Sequence, residues 1–407
     1  MRRAMRLRIC LTLTLALTMT FAMAAAHGLG QTAGALDQQR QAALALEQQG
    51  KNTEAEVAWR LYLNAHPSNP EPYAHLGLLE ARQEHYSEAV PLYRKALALN
   101  PKMSGLRLNL GLALFKGGEL KQAILEFKPL LKSQPPGSDQ AQRLTILIGM
   151  AHYGLGEYAA AVPYLKQAAA ADAQNIQLRL ALAHSCLWSK QYQCVLDTYH
   201  EILTLNAESA EADMLAGEAQ DELKNHASAI EQFRAAVKAN PREPEVHFGL
   251  GYLLWTQMQY PEAASEFQAE LANNPNHVQA LIYLGDAEMH LKHPETARPL
   301  LENALRIDAG QELAHLDLGI LLADAGRRDD ALRELSLAAK LAPQDVNVHW
   351  RLGRLYRAMG RTVEAKAEFD KASSITVSVD NALINKISNG HAVPAQTQHS
   401  MAAPAEK

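Results

Sequence analysis

Histidine is the side chain in this sequence with the clearest capacity for metal chemistry, since the chain contains 16 of them. Many zinc enzymes carry His-Glu-x-x-His, which places two imidazoles on one helix face beside a general base, and that pattern does not occur. His290 and His293 are three residues apart, but Pro294 follows them and indicates a turn. We therefore expect exposed turn histidines and predict no metal site.

Two further patterns bear on cofactor binding and catalysis. The run Gly154-x-Gly156-x-x-Ala159 partly matches the glycine-rich loop that cradles a dinucleotide. That loop follows a strand, which this region does not predict, so we interpret Gly156 as a turn glycine. No serine lies in a nucleophile elbow, and no pair of carboxylates stands apart from those expected on solvated helix faces. The sequence predicts a protein that is not an enzyme, uses no cofactor and has no small-molecule substrate.

The composition favours a helical protein with a large core. Hydrophobic residues make up 48% of the 407 residues, charged residues 20% and aromatic residues only 6%, and alanine and leucine dominate. The formal net charge is −5, and no block of lysine or arginine follows the first eight residues. Because nucleic-acid binding requires a basic surface, we expect no nucleic-acid partner.

The first 26 residues have the pattern of a secretory signal peptide. Several arginines precede an apolar stretch from Ile9 to Ala26, which ends in small residues suited to cleavage. We expect cleavage and an exported bacterial protein that is periplasmic or secreted. The alternative is an uncleaved anchor in the inner membrane, because about 18 apolar residues just suffice to cross a bilayer.

Between residues 36 and 379 the sequence repeats with a period of 34 residues. Gly77 and Gly111 are one period apart, and five glycines from Gly217 to Gly353 keep the same step. Residues 27–35 are predicted to be a linker, and residues 380–407 a mostly disordered tail in which Asn381 to Ser388 can form a short capping helix. We predict ten repeats, which start at Leu36, Pro70, Ser104, Gln142, Ile176, Ala210, Pro244, Val278, Glu312 and Val346.

Three other positions recur with the glycine. A small residue such as Ala263 lies twelve residues after it, a bulky residue such as Phe267 four residues later, and a proline such as Pro275 eight residues later still. We interpret the glycine and the small residue as the close contact between two antiparallel helices. The bulky residue then fills the gap where the helices splay, and the proline ends the second helix.

These positions resemble the tetratricopeptide repeat family. The pairs Leu76–Gly77, Leu250–Gly251 and Leu352–Gly353 fall at the family's spacing, together with the alanine, aromatic and proline positions. The resemblance implies an all-α fold, a right-handed α-solenoid of about ten helix–turn–helix units. It also implies a concave groove that is lined by the first helix of each unit.

The repeat that begins at Ile176 departs most from the pattern, with Ala183 and Val195 in place of the glycine and the alanine. We expect it to be locally distorted. It also contains Cys186 and Cys194, on either side of its turn. An exported protein meets oxidising conditions, so these cysteines can form a disulfide across the hairpin. The alternative is that both are small, buried apolar side chains.

By resemblance, the second, fifth, ninth, twelfth and thirteenth residues of each repeat line the groove. Its predicted surface is apolar and aromatic, then acidic, then aromatic, and finally basic. The residues that we assign to it are Phe115, Tyr153, Trp188, Glu218, Asp221, Glu222, Phe248, Tyr252, Trp255, Arg354 and Arg357. Aromatic and arginine side chains are typical anchors of protein-binding surfaces. The alternatives are aromatic packing between repeats and an acidic face that is merely solvated.

We therefore expect a scaffold or adaptor that binds an extended peptide or a partner protein in the groove, in the cell envelope. The alternative is a structural subunit of a membrane-associated envelope or secretion assembly, held by an uncleaved N-terminal segment. Some family members grip a terminal carboxylate with lysine and asparagine. That clamp is absent here, since Ala74 and Leu78 precede Asn109 at its positions.

Overall fold

The computed structural model describes residues 38–206 and 208–388, with side chains up to residue 378. All regular elements in these residues are helices, and none of the described residues forms a strand. They are α1 (38–48), α2 (Asn52–Ala65), α3 (Pro70–Arg82), α4 (Tyr86–Leu99), α5 (Leu106–Lys116), α6 (Leu120–Ser133), α7 (Asp139–Gly154), α8 (Tyr158–Ala171), α9 (Ile176–Trp188), α10 (Tyr192–Leu205), α11 (Ala210–Glu222), α12 (His226–Ala239), α13 (Val246–Thr256), α14 (Tyr260–Asn273), α15 (Val278–His290), α16 (Pro294–Ile307), α17 (Glu312–Asp324), α18 (Arg328–Leu341), α19 (Val346–Ala358) and α20 (Thr362–Ser388).

The predicted all-α architecture of paired helices is confirmed. Odd-numbered helices are the first helices of the repeats and even-numbered helices are the second. Within each of the two compact units described next, successive helices from α2 onward pack against each other, and most first helices also touch the first helix of the following repeat. The predicted signal peptide and linker, residues 1–35, lie outside the described residues. None of the helices in the described part of the chain combines the length and hydropathy that a membrane span requires.

The chain forms two compact units, Met1–Gln191 and Tyr192–Lys407, which we call the first and second units. The division falls in the turn of the repeat that begins at Ile176, the one that departs most from the sequence pattern. Each unit is described by itself below.

Most predicted repeat starts coincide with the beginning of a first helix. Two helices begin later, α5 at Leu106 and α13 at Val246, because Gly105 and Glu245 immediately before them adopt left-handed backbone conformations. Helix α7 begins earlier than predicted, at Asp139, because the Ser138 hydroxyl accepts a hydrogen bond from the backbone N–H of Ala141 and caps the helix. The starts that agree are Pro70, Ile176, Ala210, Val278, Glu312 and Val346.

The turn inside each repeat contains one residue with positive φ, always at the same place. A left-handed residue after a helix satisfies the last carbonyls, and glycine adopts this conformation without steric cost. Gly156, interpreted from sequence as a turn glycine, is one of them, with a φ of 70°. The others are Gly50, Glu84, Gly118, Lys190, Lys224, Met258, Lys292, Gly326 and Gly360.

The repeating glycine does mark a close approach, but its partner differs from the sequence interpretation. A Cβ atom at Gly251 would lie 2.8 Å from Cε1 of Phe267 and 3.3 Å from the carbonyl oxygen of Ala263. The bulky ring therefore packs directly against the glycine backbone instead of filling a gap one turn away. The glycine is required by the ring of its own repeat, and the alanine contributes its backbone.

The last helix includes the first residues of the segment that the sequence analysis assigns to the tail. Helix α20 continues to Ser388, beyond the expected end of the repeats at residue 379. No glycine or proline interrupts the sequence from Thr362 to Ser388, so nothing stops the helix at that point. Residues 389–407, the rest of the predicted disordered tail, lie outside the described residues.

Cys186 is completely buried near the end of α9, and Cys194 is half-buried in the first turn of α10. Each is a disulfide-bonded cysteine in the structure. We expect a thiol count on protein purified from its own compartment and denatured without reductant to find neither thiol free. Two free thiols would leave these cysteines with a packing role alone.

Candidate functional site

The candidate site is the surface that the first helices present in each unit. The predicted groove residues are divided between the units: Phe115, Tyr153 and Trp188 lie in the first unit, and all the others lie in the second. We call the surface formed by α11, α13, α15, α17 and α19 the first-helix face of the second unit. These five helices touch one another in series.

In the first unit, the predicted aromatic residues have different environments. Trp188 is 64% exposed, and its ring stacks on Tyr158 at 6.2 Å between centroids. Tyr153 meets Tyr158 edge-on at 5.8 Å and contacts His184 at 6.4 Å. Phe115 is half-buried and packs against the apolar core. Trp188 is thus available to a partner, whereas Phe115 serves mainly in packing.

In the second unit, three predicted aromatic residues form one cluster with a residue that the sequence analysis missed. Tyr252 and Trp255 of α13 stack at 6.1 Å, and Tyr283 of α15 meets them edge-on at 5.3 Å and 5.0 Å. Phe248 lies 6.1 Å from Tyr283. Tyr283 occupies the sixth position of its repeat, outside the five positions assigned to the groove. We call Phe248, Tyr252, Trp255 and Tyr283 the aromatic cluster.

A buried carboxylate supports this cluster. Trp255 donates a hydrogen bond from its indole N–H to Oδ2 of Asp286 at 2.6 Å, which joins α13 to α15. Burial raises the pKa of Asp286, while the Trp255 hydrogen bond and the nearby His290 act in the opposite direction. Burial raises the pKa of Tyr283 to about 12, with further contributions from the charges around it.

Two further charged residues lie beneath the first-helix face, one on α17 and one on α19. Asp317 of α17 is buried, and burial together with the charge of Asp286 raises its pKa well above the usual range, against the influence of Arg351 on α19. One carboxylate oxygen of Asp317 and Nε of Arg351 have no hydrogen-bond partner among the described residues. The residues at the sixth position of the last three repeats therefore lie beneath the first-helix face. They are Tyr283, Asp317 and Arg351. The residue types at the sixth position of successive repeats were the signal in the sequence that could have identified this set.

The three predicted acidic residues lie on one side of α11, as their spacing requires. Asp221 lies 2.7 Å from Nδ1 of His226, and Glu222 accepts a hydrogen bond from the Tyr192 hydroxyl at 3.1 Å. Glu218 is exposed. Burial and then the charge of Asp221 raise the pKa of Tyr252, so Asp221 is the acidic residue that lies near the aromatic cluster.

The predicted basic residues lie at the other end of the same face. The Arg354 guanidinium lies 4.8 Å from the centre of the Trp350 ring, and that of Arg357 lies 5.7 Å from the Phe369 ring. Both arginines are exposed. The structure thus keeps the sign change that the sequence predicts along the face, from acidic at α11 to basic at α19.

One group of three side chains among the described residues has the composition of a metal site: Glu245, Glu270 and His277, whose ligand atoms lie within 4.8 Å of one another. Nδ1 of His277 accepts the backbone N–H of Ala280, which makes His277 the N-cap of α15. Nε2 therefore carries a proton, and it donates to Glu245 at 2.8 Å. A metal at Nε2 would have to break this cap, so the group is a structural network.

The two histidines considered for metal binding have separate partners. Nε2 of His290 lies 3.6 Å from Asp286, and the His290 ring stacks on Tyr260 at 4.2 Å. Nδ1 of His293 lies 2.7 Å from Glu288 across the turn. Both histidines are exposed, as the sequence predicts, and each lies beside a different carboxylate.

The sequence analysis also missed a set of histidine–glutamate pairs that tie the two helices of a repeat together. Nδ1 of His247 lies 2.6 Å from Glu266, that of His315 lies 2.7 Å from Glu334, and that of His349 lies 2.6 Å from Glu368. Each pair spans 19 residues in the sequence. The constant offset inside a 34-residue period was the available signal.

Comparison with known sequences places most of the chain in one repeat class. Three profiles described as tetratricopeptide repeat match the chain: the first over residues 80–145, 290–345 and 322–378, the second over 196–244, 214–272 and 248–312, and the third over 143–175. The matches cover both units and include every helix of the first-helix face of the second unit.

The individual relatives are distant. The BBSome complex member BBS4 of Bos taurus is 23% identical over 262 residues, which are 64% of this chain and 48% of that protein. The anaphase-promoting complex subunit 3 of Schizosaccharomyces pombe is 23% identical over 208 residues, 51% of this chain and 31% of that protein. The chain therefore spans half or less of the length of these relatives. The crystal structure of YrrB, described as a TPR protein with an unusual peptide-binding site, is 21% identical and covers 46% of this chain and 97% of its own, with a TM-score of 0.38.

Proposed function

Because the chain belongs to the tetratricopeptide repeat family, a fold that acts as a scaffold for protein–protein interaction, we propose that the first-helix face of the second unit binds an extended segment of a partner protein. The observation that carries this proposal is the aromatic cluster, whose rings sit between the acidic residues of α11 and the buried Asp286. Half-exposed rings beside carboxylates are suited to a segment that carries both apolar and basic side chains.

The chemistry of the cluster explains the fit. Tyr252 is 37% exposed, and its ring offers a broad contact area that loses little conformational entropy on binding. A lysine or arginine placed against such a ring gains a cation–π interaction of about 0.5–2 kcal/mol. Asp221 and Asp286 add negative charge at the edges of the cluster. Bulky apolar residues of the partner can then pack against the remaining ring surface.

An extended segment suits this face better than a globular surface does. Neighbouring helices lie about 8–10 Å apart, and an extended chain advances about 3.3 Å per residue. Three residues therefore cross one first helix, and a segment of about twelve residues contacts four of them. Trp188 offers a comparable exposed anchor in the first unit.

The setting that we propose for this interaction is the cell envelope, with the protein acting as a non-catalytic adaptor. The support is the N-terminal pattern of residues 1–26. The alternative is a subunit of a membrane-associated assembly that keeps this segment as an anchor. We expect N-terminal sequencing of the protein from its own cells to find a start near Ala25 or His27. An intact N-terminus would favour the anchored alternative.

The test of the binding face uses a single anchor. A partner is captured from the cell envelope, and its affinity is measured for the parent, Tyr252→Ala and Leu337→Ala. Tyr252→Ala is expected to weaken binding by about 1–3 kcal/mol, the usual loss for an interface anchor. Leu337 is 42% exposed on the second helix α18, and its truncation is expected to have no effect. If Leu337→Ala weakened binding and Tyr252→Ala did not, the contact would lie on the second helices and the proposal would be contradicted.

A further inference from the structure

The first-helix face of the second unit ends in helices of opposite charge. Helix α11 contains Glu211, Asp213, Glu218, Asp221 and Glu222 and no basic residue. Helix α19 contains Arg351, Arg354 and Arg357 and no acidic residue. Between them, α17 presents the half-buried apolar side chains Leu313 and Ile320. The face is thus acidic and aromatic at one end, apolar in the middle and basic at the other.

The basic end is arranged to receive an anion. Four neighbouring basic residues, Arg327, Arg333, Arg361 and Lys371, each form an ion pair with a carboxylate. Among the described residues, Arg354 and Arg357 form no such pair, although both are exposed.

The rings beneath these two arginines hold them in place. Trp350 lies under Arg354 at 4.8 Å, and Phe369 lies under Arg357 at 5.7 Å. A guanidinium that stacks on a ring keeps its N–H groups directed outward at its edge. Two such groups on successive turns of α19 are ordered before any ligand arrives, which reduces the entropy lost on binding a carboxylate.

From these observations we propose that the partner segment carries charges of opposite sign at its two ends. A basic side chain lies against the aromatic cluster beside Asp221 and Asp286, and an acidic side chain lies on Arg354 and Arg357. This inference rests on the proposed function, since it specifies the chemistry of the segment bound there. It adds the requirement for an acidic residue, which the aromatic cluster alone does not impose.

The spacing of the two charges follows from the helix packing. The basic side chain of the partner lies between α13 and α15, and its acidic side chain lies on α19, two to three helix spacings away. At about 8–10 Å per helix the separation is about 20–25 Å. An extended chain covers this distance in about six to eight residues. Because α17 presents Leu313 and Ile320 while its Asp317 is buried, the residues between the charges are apolar.

The experiment uses synthetic fluorescent peptides of twelve residues with the full-length protein. One peptide has Lys and Glu seven residues apart with leucines between them. A second has Lys at both positions, and a third has Lys and Glu adjacent. We expect the first to bind about five- to tenfold more tightly than the others, the size of one or two exposed charge pairs.

Charge reversal on the protein provides the decisive control. Arg354→Glu/Arg357→Glu is expected to reverse the preference, so that the peptide with two lysines binds more tightly than the Lys–Glu peptide. The matched variant Arg234→Glu/Lys366→Glu, at exposed positions on the second helices α12 and α20, is expected to leave the order unchanged.

The outcomes separate this inference from the proposed function. If Tyr252→Ala weakens all the peptides alike and the reversed arginines do not change their order, the inference is wrong while the binding face stands. If no peptide depends on Tyr252, the proposed function fails as well. If sedimentation shows a dimer that Arg354→Glu/Arg357→Glu disperses, the acidic partner is a second copy of the chain, and the proposal of a partner segment is overturned.

Discussion

Gly251→Leu is expected to destabilise the second unit by about 2–4 kcal/mol, because it overpacks the contact between α13 and α14. A Cβ atom at this position already falls 2.8 Å from the Phe267 ring, before the rest of the leucine is added. Helix α13 has little freedom to retreat. Gly249, two residues earlier, lies so close to Phe233 of the preceding repeat that its own Cβ would also clash.

Urea unfolding of the full chain measures this loss. Gly310→Leu serves as the control, since only the flexible side chain of Asp308 would lie near its Cβ. In the double variant Gly251→Leu/Phe267→Ala the clash disappears, so its destabilisation is expected to be smaller than the sum of the two single changes. A Gly251→Leu protein that unfolds like the parent would show that the ring can move aside, and the role assigned to this glycine would be wrong.

Reversal of the acidic residues of α11, Glu218→Lys/Asp221→Lys/Glu222→Lys, is expected to slow association with a basic partner segment about tenfold. Exposed charges act mainly on the encounter between two molecules, and this effect weakens as salt screens the field. The variant is therefore expected to show a flatter dependence of the association rate on salt concentration. Stopped-flow binding between 50 mM and 500 mM salt measures both quantities.

The matched control reverses three exposed acidic residues on the second helices α12, α16 and α20, as Glu231→Lys/Glu302→Lys/Asp370→Lys. It changes the net charge by the same amount at positions away from the first-helix face. Equal slowing by both variants would mean that net charge alone steers the partner. The acidic residues of α11 would then have no part in the site.

The amino-acid sequence alone was enough to predict the fold class, the pairing of the helices and the sides on which the local charges lie. Each of these depends on residues within one period. Glu218, Asp221 and Glu222 share a side of α11 because three- and four-residue steps return to the same side of any helix. The 34-residue period repeats one hairpin, so the recognition of one unit predicts all of them.

The features that became clear only in the folded protein depend on contacts between repeats and on the directions of side chains. Trp255 meets Asp286 across 31 residues, and no local pattern states which carboxylate an indole will reach. Tyr283 joins the aromatic cluster because α13 and α15 pack side by side, although its position in the repeat appeared unrelated to the groove. The glycine that indicated a close helix crossing proved to be covered by the Phe267 ring, since the rotamer of that ring decides which atoms approach the backbone. Arg354 and Arg357 were identified from sequence. Only the packing of the helices determines that these guanidinium groups lie over Trp350 and Phe369 and have no carboxylate partner among the described residues.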